Sequence, residues 1–167
     1  SHLFKEYTVT YNNNTQSEVR EYMEAILSGK TPAKRPTVTI SAVYGSGYTS
    51  QETVQLDMPV YNIKMSAANV IVVADNANYT GSQCRPDVRV YYSADQAVVK
   101  EAKKCTTEEQ LLAVGMKKVD SSQYTVSYGA NTVAGRNKGV VTVTGKSPYF
   151  GGSVSTKFTI NSRNIIW

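Results

Sequence analysis

Few side chains in this sequence could support catalysis, and their spacing does not suit it. The chain has one histidine, His2, and two cysteines, Cys84 and Cys105. The cysteines do not have the CxxC spacing of a redox pair, and together with His2 they fall short of the roughly four ligands of a zinc site. Glu108 and Glu109 could form a carboxylate pair, but stabilisation of a helix dipole explains adjacent glutamates in a first helical turn more simply. We therefore expect no enzyme activity, no cofactor and no metal site.

The two cysteines are more informative as a possible covalent link. Cys84 and Cys105 are the only thiols of the chain. In an exported protein we expect them to form one disulfide, which closes a loop slightly longer than the 15-residue loop whose closure is worth about 3 kcal/mol. Two separate buried thiols are the alternative, since disulfides persist only in an oxidising compartment.

The charge balance raises the question of nucleic-acid binding. There are 18 Lys and Arg residues against 13 Asp and Glu, which gives a net charge of +5. The lysines of residues 100–118 have glutamates among them, and no recognised nucleic-acid motif accompanies them. A solvated basic face explains this pattern, so we expect no nucleic-acid partner. No apolar run approaches the roughly 18 residues of a membrane helix, so we expect no membrane insertion.

Exposed aromatic rings would give the chain a different function, carbohydrate binding. Sugar-binding modules stack pyranose CH groups on aromatic faces beside directional hydrogen-bonding groups. The chain has 12 tyrosines and one tryptophan. Tyr91 and Tyr92 are the most informative pair, because consecutive strand residues face opposite sides and one must face solvent unless another segment covers it. The candidate ligand-binding residues are Tyr91, Tyr92, Tyr44 and Trp167.

An internal repeat determines how these residues are positioned. The strand-like segment 7–13 returns at 124–130, and the segment 37–40 returns at 141–144. In both copies apolar residues alternate with Thr or Ser, which predicts strands with one buried face and one solvent face. The repeat predicts two β-rich units in tandem.

The two units differ in completeness. Residues 3–61 form a partial or atypical unit, because the opening strands of the pattern are missing there. Residues 62–160 form a complete unit with an inserted segment at 93–122. Residues 161–167 echo the junction between the units and predict the start of a linker or of a further repeat. Within the second unit strands are predicted near 62–65, 70–73, 87–92, 124–128, 141–144 and 158–160, with a turn at 76–81.

A helix is predicted at 16–28, inside the first unit. Thr15 and Glu18 have the spacing of a capping box, and Gly29 is a natural stop. Apolar residues recur at helical spacing, so one face of the helix should be buried. We expect this face to pack on the first sheet and partly to replace the missing strands. It consists of Val19, Tyr22, Met23, Ile26 and Leu27.

A second short helix is predicted near 107–114, inside the insertion. Thr106 and Glu109 have capping-box spacing, Leu111 with Leu112 supplies an apolar face, and Gly115 ends the segment.

With these motifs in place, the chain resembles the Ig-like repeats of large surface proteins and secreted polysaccharide-degrading enzymes of Gram-positive, often gut, bacteria. The resemblance covers essentially all of 62–160 and the later part of 1–61. The sequence departs from the family pattern at 93–122, at 14–36 and at the two cysteines. The matching segments are 78–81, 86–88, 124–128, 134–135, 141–146, 149–152 and 157–160.

The resemblance implies a fold and a class of function. The implied fold is mainly β, with tandem Ig-like antiparallel β-sandwich units and one short helix inserted in each. The implied function is a non-catalytic structural or adhesion module of a bacterial cell-surface or secreted protein, located outside the cell. The implied partners are other domains of the same surface protein, a glycan, or a host or bacterial surface protein. The alternative is a carbohydrate-binding module in a polysaccharide-utilisation system.

Overall fold

The computed structural model describes the backbone of residues 4–44, 51–57 and 63–163, and the side chains of 8–40 and 63–163. The fold is mainly β, with several antiparallel sheets. It comprises two compact units, one of Ser1–Ile26 with Lys30–Tyr61 and one of Leu27–Gly29 with Asn62–Trp167.

In residues 4–44 and 51–57, the first unit contains one helix and a three-stranded antiparallel sheet. The strands lie in the order β1-β2-β3, and the helix α1 connects β1 to β2. The bounds are β1 Phe4–Asn12, α1 Gln16–Leu27, β2 Thr37–Tyr44 and β3 Gln51–Asp57.

The ends of α1 follow the sequence signals closely. The Thr15 hydroxyl accepts a hydrogen bond from the Glu18 backbone N–H at 3.3 Å, and the Glu18 carboxylate accepts one from the Thr15 N–H at 3.3 Å. Gly29 has a φ of +75°, and the N–H of Lys30 donates to the carbonyl of Ala25 at 2.9 Å. A glycine in the left-handed conformation turns the chain so that the next N–H groups reach the last carbonyls of the helix. The capping box and this glycine therefore confirm the predicted start and stop.

The apolar stripe of α1 is buried mainly toward its C-terminal end. Ile26 is fully buried, and Tyr22 and Leu27 are 4% and 6% exposed. Val19 and Met23 are half-buried. The helix therefore has a buried face at the predicted spacing, and its packing on the first sheet stays a prediction.

Within residues 63–163, the second unit contains two sheets, two α-helices and a short 3-10 helix, Ser121–Gln123. Strands β4, β11, β10 and β9 form one sheet in that order, with β6 also paired to β11, and β5-β7-β8 form the other. Both β4 and β6 pair with β11 in parallel. The bounds are β4 Ile63–Met65, β5 Val70–Ala74, β6 Ala77–Asn78, β7 Val88–Tyr92, α2 Gln96–Ala102, α3 Glu108–Ala113, β8 Lys117–Val119, β9 Tyr124–Tyr128, β10 Gly135–Gly145 and β11 Phe150–Asn161.

Two expectations about these elements are wrong. The insertion carries two helices and the strand β8, where one helix was expected. The segment 76–81, expected to be a turn, contains β6, because Ala77 and Asn78 pair with Ile160 and Asn161 of β11.

The internal repeat is present in the strand pairing itself. The meander β9-β10-β11 has the same strand order and the same antiparallel pairing as β1-β2-β3. The pairing matches 37–40 with 140–143, one residue earlier than the repeat in the sequence, and in both copies it places apolar residues opposite one another on neighbouring strands. The equivalent pairs are Val9↔Ile40 with Val126↔Val143, Tyr11↔Val38 with Tyr128↔Val141, and Ile40↔Val54 with Val143↔Val154.

The two copies differ in what covers that face. In the second unit Val141 and Val143 are fully buried, and Val126 is half-buried against the same core. In the first unit Val9 and Tyr11 are 42% and 67% exposed. The helix α1 therefore leaves this part of the first sheet open.

Both faces of the sheet β5-β7-β8 are covered. On one face Ala74 and Val88 share a hydrophobic cluster with Val141, Phe158 and Ile160 of the larger sheet. On the other face a second cluster is built from the strands and from the insertion. Its members are Tyr91, Val99, Ala102, Leu111 and Met116, with Ile71, Val73, Val98, Cys105 and Val114 packed against them.

Candidate functional site

A cavity of about 670 Å³ runs along strand β5 of the second unit. It touches all of 71–75, the connection between α2 and α3 at 102–108, and Thr156 and Lys157 of β11. Consecutive strand residues face opposite sides of a sheet, so a cavity that touches five in a row must follow the edge of the strand. We call this cavity the edge groove.

The free edge of β5 presents backbone hydrogen-bonding groups. Among the strands that the structure describes, β5 is the last of its sheet and pairs only with β7. At one end of the β5–β7 pairing the Asp75 N–H donates to the Asp87 carbonyl, and at the other end the Ser93 N–H donates to the Asn69 carbonyl. In an antiparallel pair every second residue is hydrogen-bonded, so the N–H and C=O groups of Val72 and Ala74 point away from β7. No described residue hydrogen-bonds to them.

The insertion builds the outer wall of the groove from two capped helices. The Asp95 carboxylate accepts the N–H of Ala97 at 2.9 Å and starts α2. The hydroxyl of Thr107 accepts the N–H of Gln110 at 3.2 Å and starts α3. The cap of α3 is therefore one residue later than the predicted Thr106, whose own N–H donates to the Gln110 side chain at 2.8 Å.

An ionic cluster closes one end of the groove. Arg89 of β7 donates to both oxygens of Asp75, at 2.7 and 3.1 Å, and through Nε to Glu108 at 2.7 Å. The hydroxyl of Tyr91 donates to the same Glu108 oxygen at 2.7 Å. Arg89 and Tyr91 are two residues apart on one strand and so share a face. The first turn of α3 is thus anchored to β7.

The cluster shifts the acidity of its members. The Tyr91 hydroxyl and then Arg89 lower the pKa of Glu108, and Arg89 lowers the pKa of Asp75. Burial, followed by the nearby Glu108 carboxylate, raises the pKa of Tyr91 to about 12. A general acid needs a carboxyl whose pKa is raised, so neither carboxylate of this cluster suits that role. The arrangement is a structural clamp.

The candidate sugar-binding rings are not available at this site. Tyr91 and Tyr92 are 3% and 8% exposed, so neither ring offers a face to a sugar. The insertion covers Tyr91, and Tyr92 packs edge-on against Phe150 at a centroid distance of 6.4 Å. The exception stated with this expectation applies, because another segment covers the ring that would otherwise face solvent. The side chain of Tyr44 and the whole of Trp167 lie outside the described residues.

The expected disulfide is not formed in this structure. Cys84 and Cys105 are both free thiols. Cys84 is buried in the cluster shared by the two sheets, whereas Cys105 belongs to the cluster under the helices and lines the groove. The two thiols thus belong to different hydrophobic clusters, which the sequence spacing could not indicate.

We predict that the two thiols react at different rates. Cys84 is 6% exposed, and its thiol donates to the carbonyl of Asn78 at 3.5 Å, whereas Cys105 is half-buried beside a cavity. Thiol reactivity needs access, so Cys105 should be labelled first in the folded protein. Titration of native and of unfolded, unreduced protein measures this. Two equally fast thiols, or none after unfolding, would contradict it.

Replacing Tyr91 by Phe should destabilise the second unit by about 1–2 kcal/mol. The change removes a hydrogen bond to a charged group, which is worth about 1.5–3 kcal/mol, and the remaining bond to Arg89 reduces the loss. Tyr92→Phe is the matched control, because the Tyr92 hydroxyl makes no hydrogen bond to a described residue. Denaturant midpoints compare them. Equal losses would show that the bond to Glu108 contributes nothing.

The same cluster predicts a pH dependence of stability. The folded pKa of Glu108 lies below its unfolded value of about 4.3. Its contribution is therefore present above that unfolded pKa and is lost as the pH falls through the folded one. Melting temperatures measured between pH 6 and 3 should fall less steeply at the acid end for Glu108→Gln than for the parent. Glu109→Gln, which changes an exposed neighbour, should leave the acid limb unchanged.

No family model, no curated protein and no solved structure matches the chain. In the part of the chain that the structure describes, no helix is long and apolar enough to cross a membrane. In the same part no group of three or more His, Cys, Asp or Glu residues is placed to hold a metal ion.

The sequence reasoning missed the groove and its clamp. Arg89 alternates with Val88 and Val90 in a strand, and this alternation places Arg89 on the face of Tyr91. That signal, combined with a glutamate at the start of the inserted helix, could have predicted the Arg89–Glu108 pair. The free edge of β5 has no signal in the sequence, since it depends on which strands pair.

Proposed function

We propose that the chain consists of tandem Ig-like β-sandwich units that act as a non-catalytic structural and adhesion module of a bacterial cell-surface or secreted protein. The observation that carries this proposal is the repetition of the three-stranded antiparallel meander, in which apolar residues of neighbouring strands pair with one another in both copies. Units repeated along a chain suit a spacer or an adhesive string, in which each unit adds length or another surface.

Two further observations support the sandwich and the non-catalytic role. Residues of both sheets of the second unit share one hydrophobic cluster, which two sheets packed face to face would produce. Arg89 binds both Asp75 and Glu108 in the groove, and the pKa values of these two carboxyls are lowered. Neither carboxyl is therefore suited to act as a general acid. The insertion at 93–122 is a suitable place for adhesive contacts, because binding residues tend to lie on loops that a rigid scaffold positions.

The location outside the cell can be tested directly. Antibodies raised against this chain should label intact cells of its source, or its culture medium, without permeabilisation. Labelling that requires permeabilised cells would contradict a surface or secreted role. A cytoplasmic protein serves as the control for cell integrity.

A glycan array separates adhesion to protein from the carbohydrate-binding alternative. The burial of Tyr91 and Tyr92 leaves that alternative without its two best rings. We therefore expect no retention across plant, starch and host glycans. Specific retention that survives moderate salt would favour the alternative and would place its site elsewhere in the chain.

A further inference from the structure

We propose that the edge groove binds an extended peptide strand, which pairs with the free edge of β5. An open edge of unpaired N–H and C=O groups is a template for another strand. Here the edge lies in a cavity of about 670 Å³ bounded by other elements. One peptide chain can therefore reach the edge, whereas the surrounding elements hinder edge-to-edge association of whole sheets. Val72 and Ala74 supply the pairing groups. Strand addition of this kind is a recurrent mode of peptide recognition.

The walls of the groove define the chemistry of the occupant. Leu111 and Ala102 are buried at its outer wall, and Cys105 lies beside them. Thr106 and Thr107 also lie on this wall, so its surface is mixed. Residues of an added strand should therefore be β-branched, as suits a paired strand whose alternate side chains face such a wall. The five residues of β5 span about 17 Å, which sets the length of the paired segment to about five residues.

The charges at the rim indicate the flanks of the peptide. Arg89 is already paired with Asp75 and Glu108. Lys103 and Lys157 also line the groove, and neither forms an ion pair with a described residue. An acidic residue beside the paired segment would complement these two lysines. The occupant is thus an extended segment of β-branched residues with an acidic flank.

This inference deepens the proposed adhesive function and rests on it, because adhesion supplies a partner polypeptide. The two proposals fail separately. Labelling only in permeabilised cells would remove the surface role and leave the groove binding intact. Absence of peptide binding would show that the groove is not an adhesive site, and it would leave the cell-surface labelling unaffected.

The probe is an acetylated and amidated heptapeptide, Glu-Val-Thr-Val-Thr-Val-Glu, added to the full chain. Amide hydrogen exchange followed by NMR should show new protection at Val72 and Ala74, whose N–H groups are open in the free protein. The amides of Ile71 and Val73 point to β7 and should already be protected. No new protection at millimolar peptide would overturn the proposal.

Matched controls test the mode of binding. Two N-methylated versions of the peptide carry the methyl groups on the two alternating sets of amides, one set in each version. The version methylated at the amides whose N–H groups face β5 should lose binding. Equal binding of both N-methylated peptides and the parent peptide would overturn strand pairing. A bulky maleimide on Cys105, which lines the groove, should abolish protection of the edge amides.

A charge reversal tests the acidic flank. Lys157→Glu should weaken peptide binding by about tenfold at low salt, since it places like charges together. Lys138→Glu makes the same change at an exposed lysine that does not line the groove and should leave the affinity unchanged. Equal weakening by both variants would show attraction to the basic surface in general and would overturn the groove as the site.

Discussion

Replacing Phe150 by Ala is expected to lower the free energy of unfolding of the second unit by about 3–5 kcal/mol. Phe150 is fully buried at the start of β11, where it pairs with Ile63. Its ring meets Tyr92 edge-on at 6.4 Å and an interplanar angle of 79°. The change removes apolar contact and leaves a cavity that a packed core closes only in part. Denaturant unfolding followed by circular dichroism measures the loss.

Two variants make this result specific. Phe150→Leu keeps most of the apolar volume and should cost roughly half as much. Thr125→Ala changes an exposed residue of β9 and should stay within about 0.5 kcal/mol. A unit typically has only about 5–15 kcal/mol of stability, so Phe150→Ala should also show a lower melting temperature. Equal midpoints for the Phe150 and Thr125 variants would mean that the core is elsewhere.

The strands of the repeat were predictable because their pattern is local. Val126 alternates with Thr125 and Ser127, and this period of two is the signature of a half-buried strand. The same alternation in 7–13 gave the equivalent strand of the first unit. The buried face of each strand followed as well, because a one-residue slip would turn its apolar residues to solvent.

The short elements of the insertion were harder to predict. The helix α2 has seven residues and β8 has three, so each repeats its pattern at most about twice, which is too few repeats to identify it in the sequence. The cap of α3 was placed one residue early, because Thr106 and Thr107 are adjacent and either has a polar residue three positions later. Such choices are decided by packing of the helix on the sheet, which the sequence does not contain.

Apart from the Arg89–Glu108 pair, the candidate site depended on long-range pairing and was not predictable. Whether Tyr91 faces solvent or helix depends on where the insertion folds, and the structure places the insertion over it. Likewise β6 forms in a segment with turn composition because β11 offers an edge beside it. Strand preference depends more on neighbours than on intrinsic propensity, so segments of this kind escape reasoning from sequence.

The second large effect is expected in the helix α1. Ile26→Asp should destabilise the helix and its surroundings by at least about 3 kcal/mol, because it places an unpaired carboxylate at a fully buried position. Exposed apolar surface should follow, since Tyr22 and Leu27 are buried on the same helix. Differential scanning calorimetry, dye binding and light scattering should therefore show a lower melting temperature and oligomers.

Glu21→Asp is the matched control for Ile26→Asp. It introduces the same residue into the same helix at an exposed position, so it carries the cost of helix propensity without the buried charge. Deleting residues 15–30 removes Tyr22, Ile26 and Leu27 together and should give the same oligomers as Ile26→Asp. Because Val9 and Tyr11 are already exposed on the first sheet, further loss of cover should favour association. A deletion variant that stayed monomeric with an unchanged melting temperature would show that the helix adds nothing to the stability of the protein.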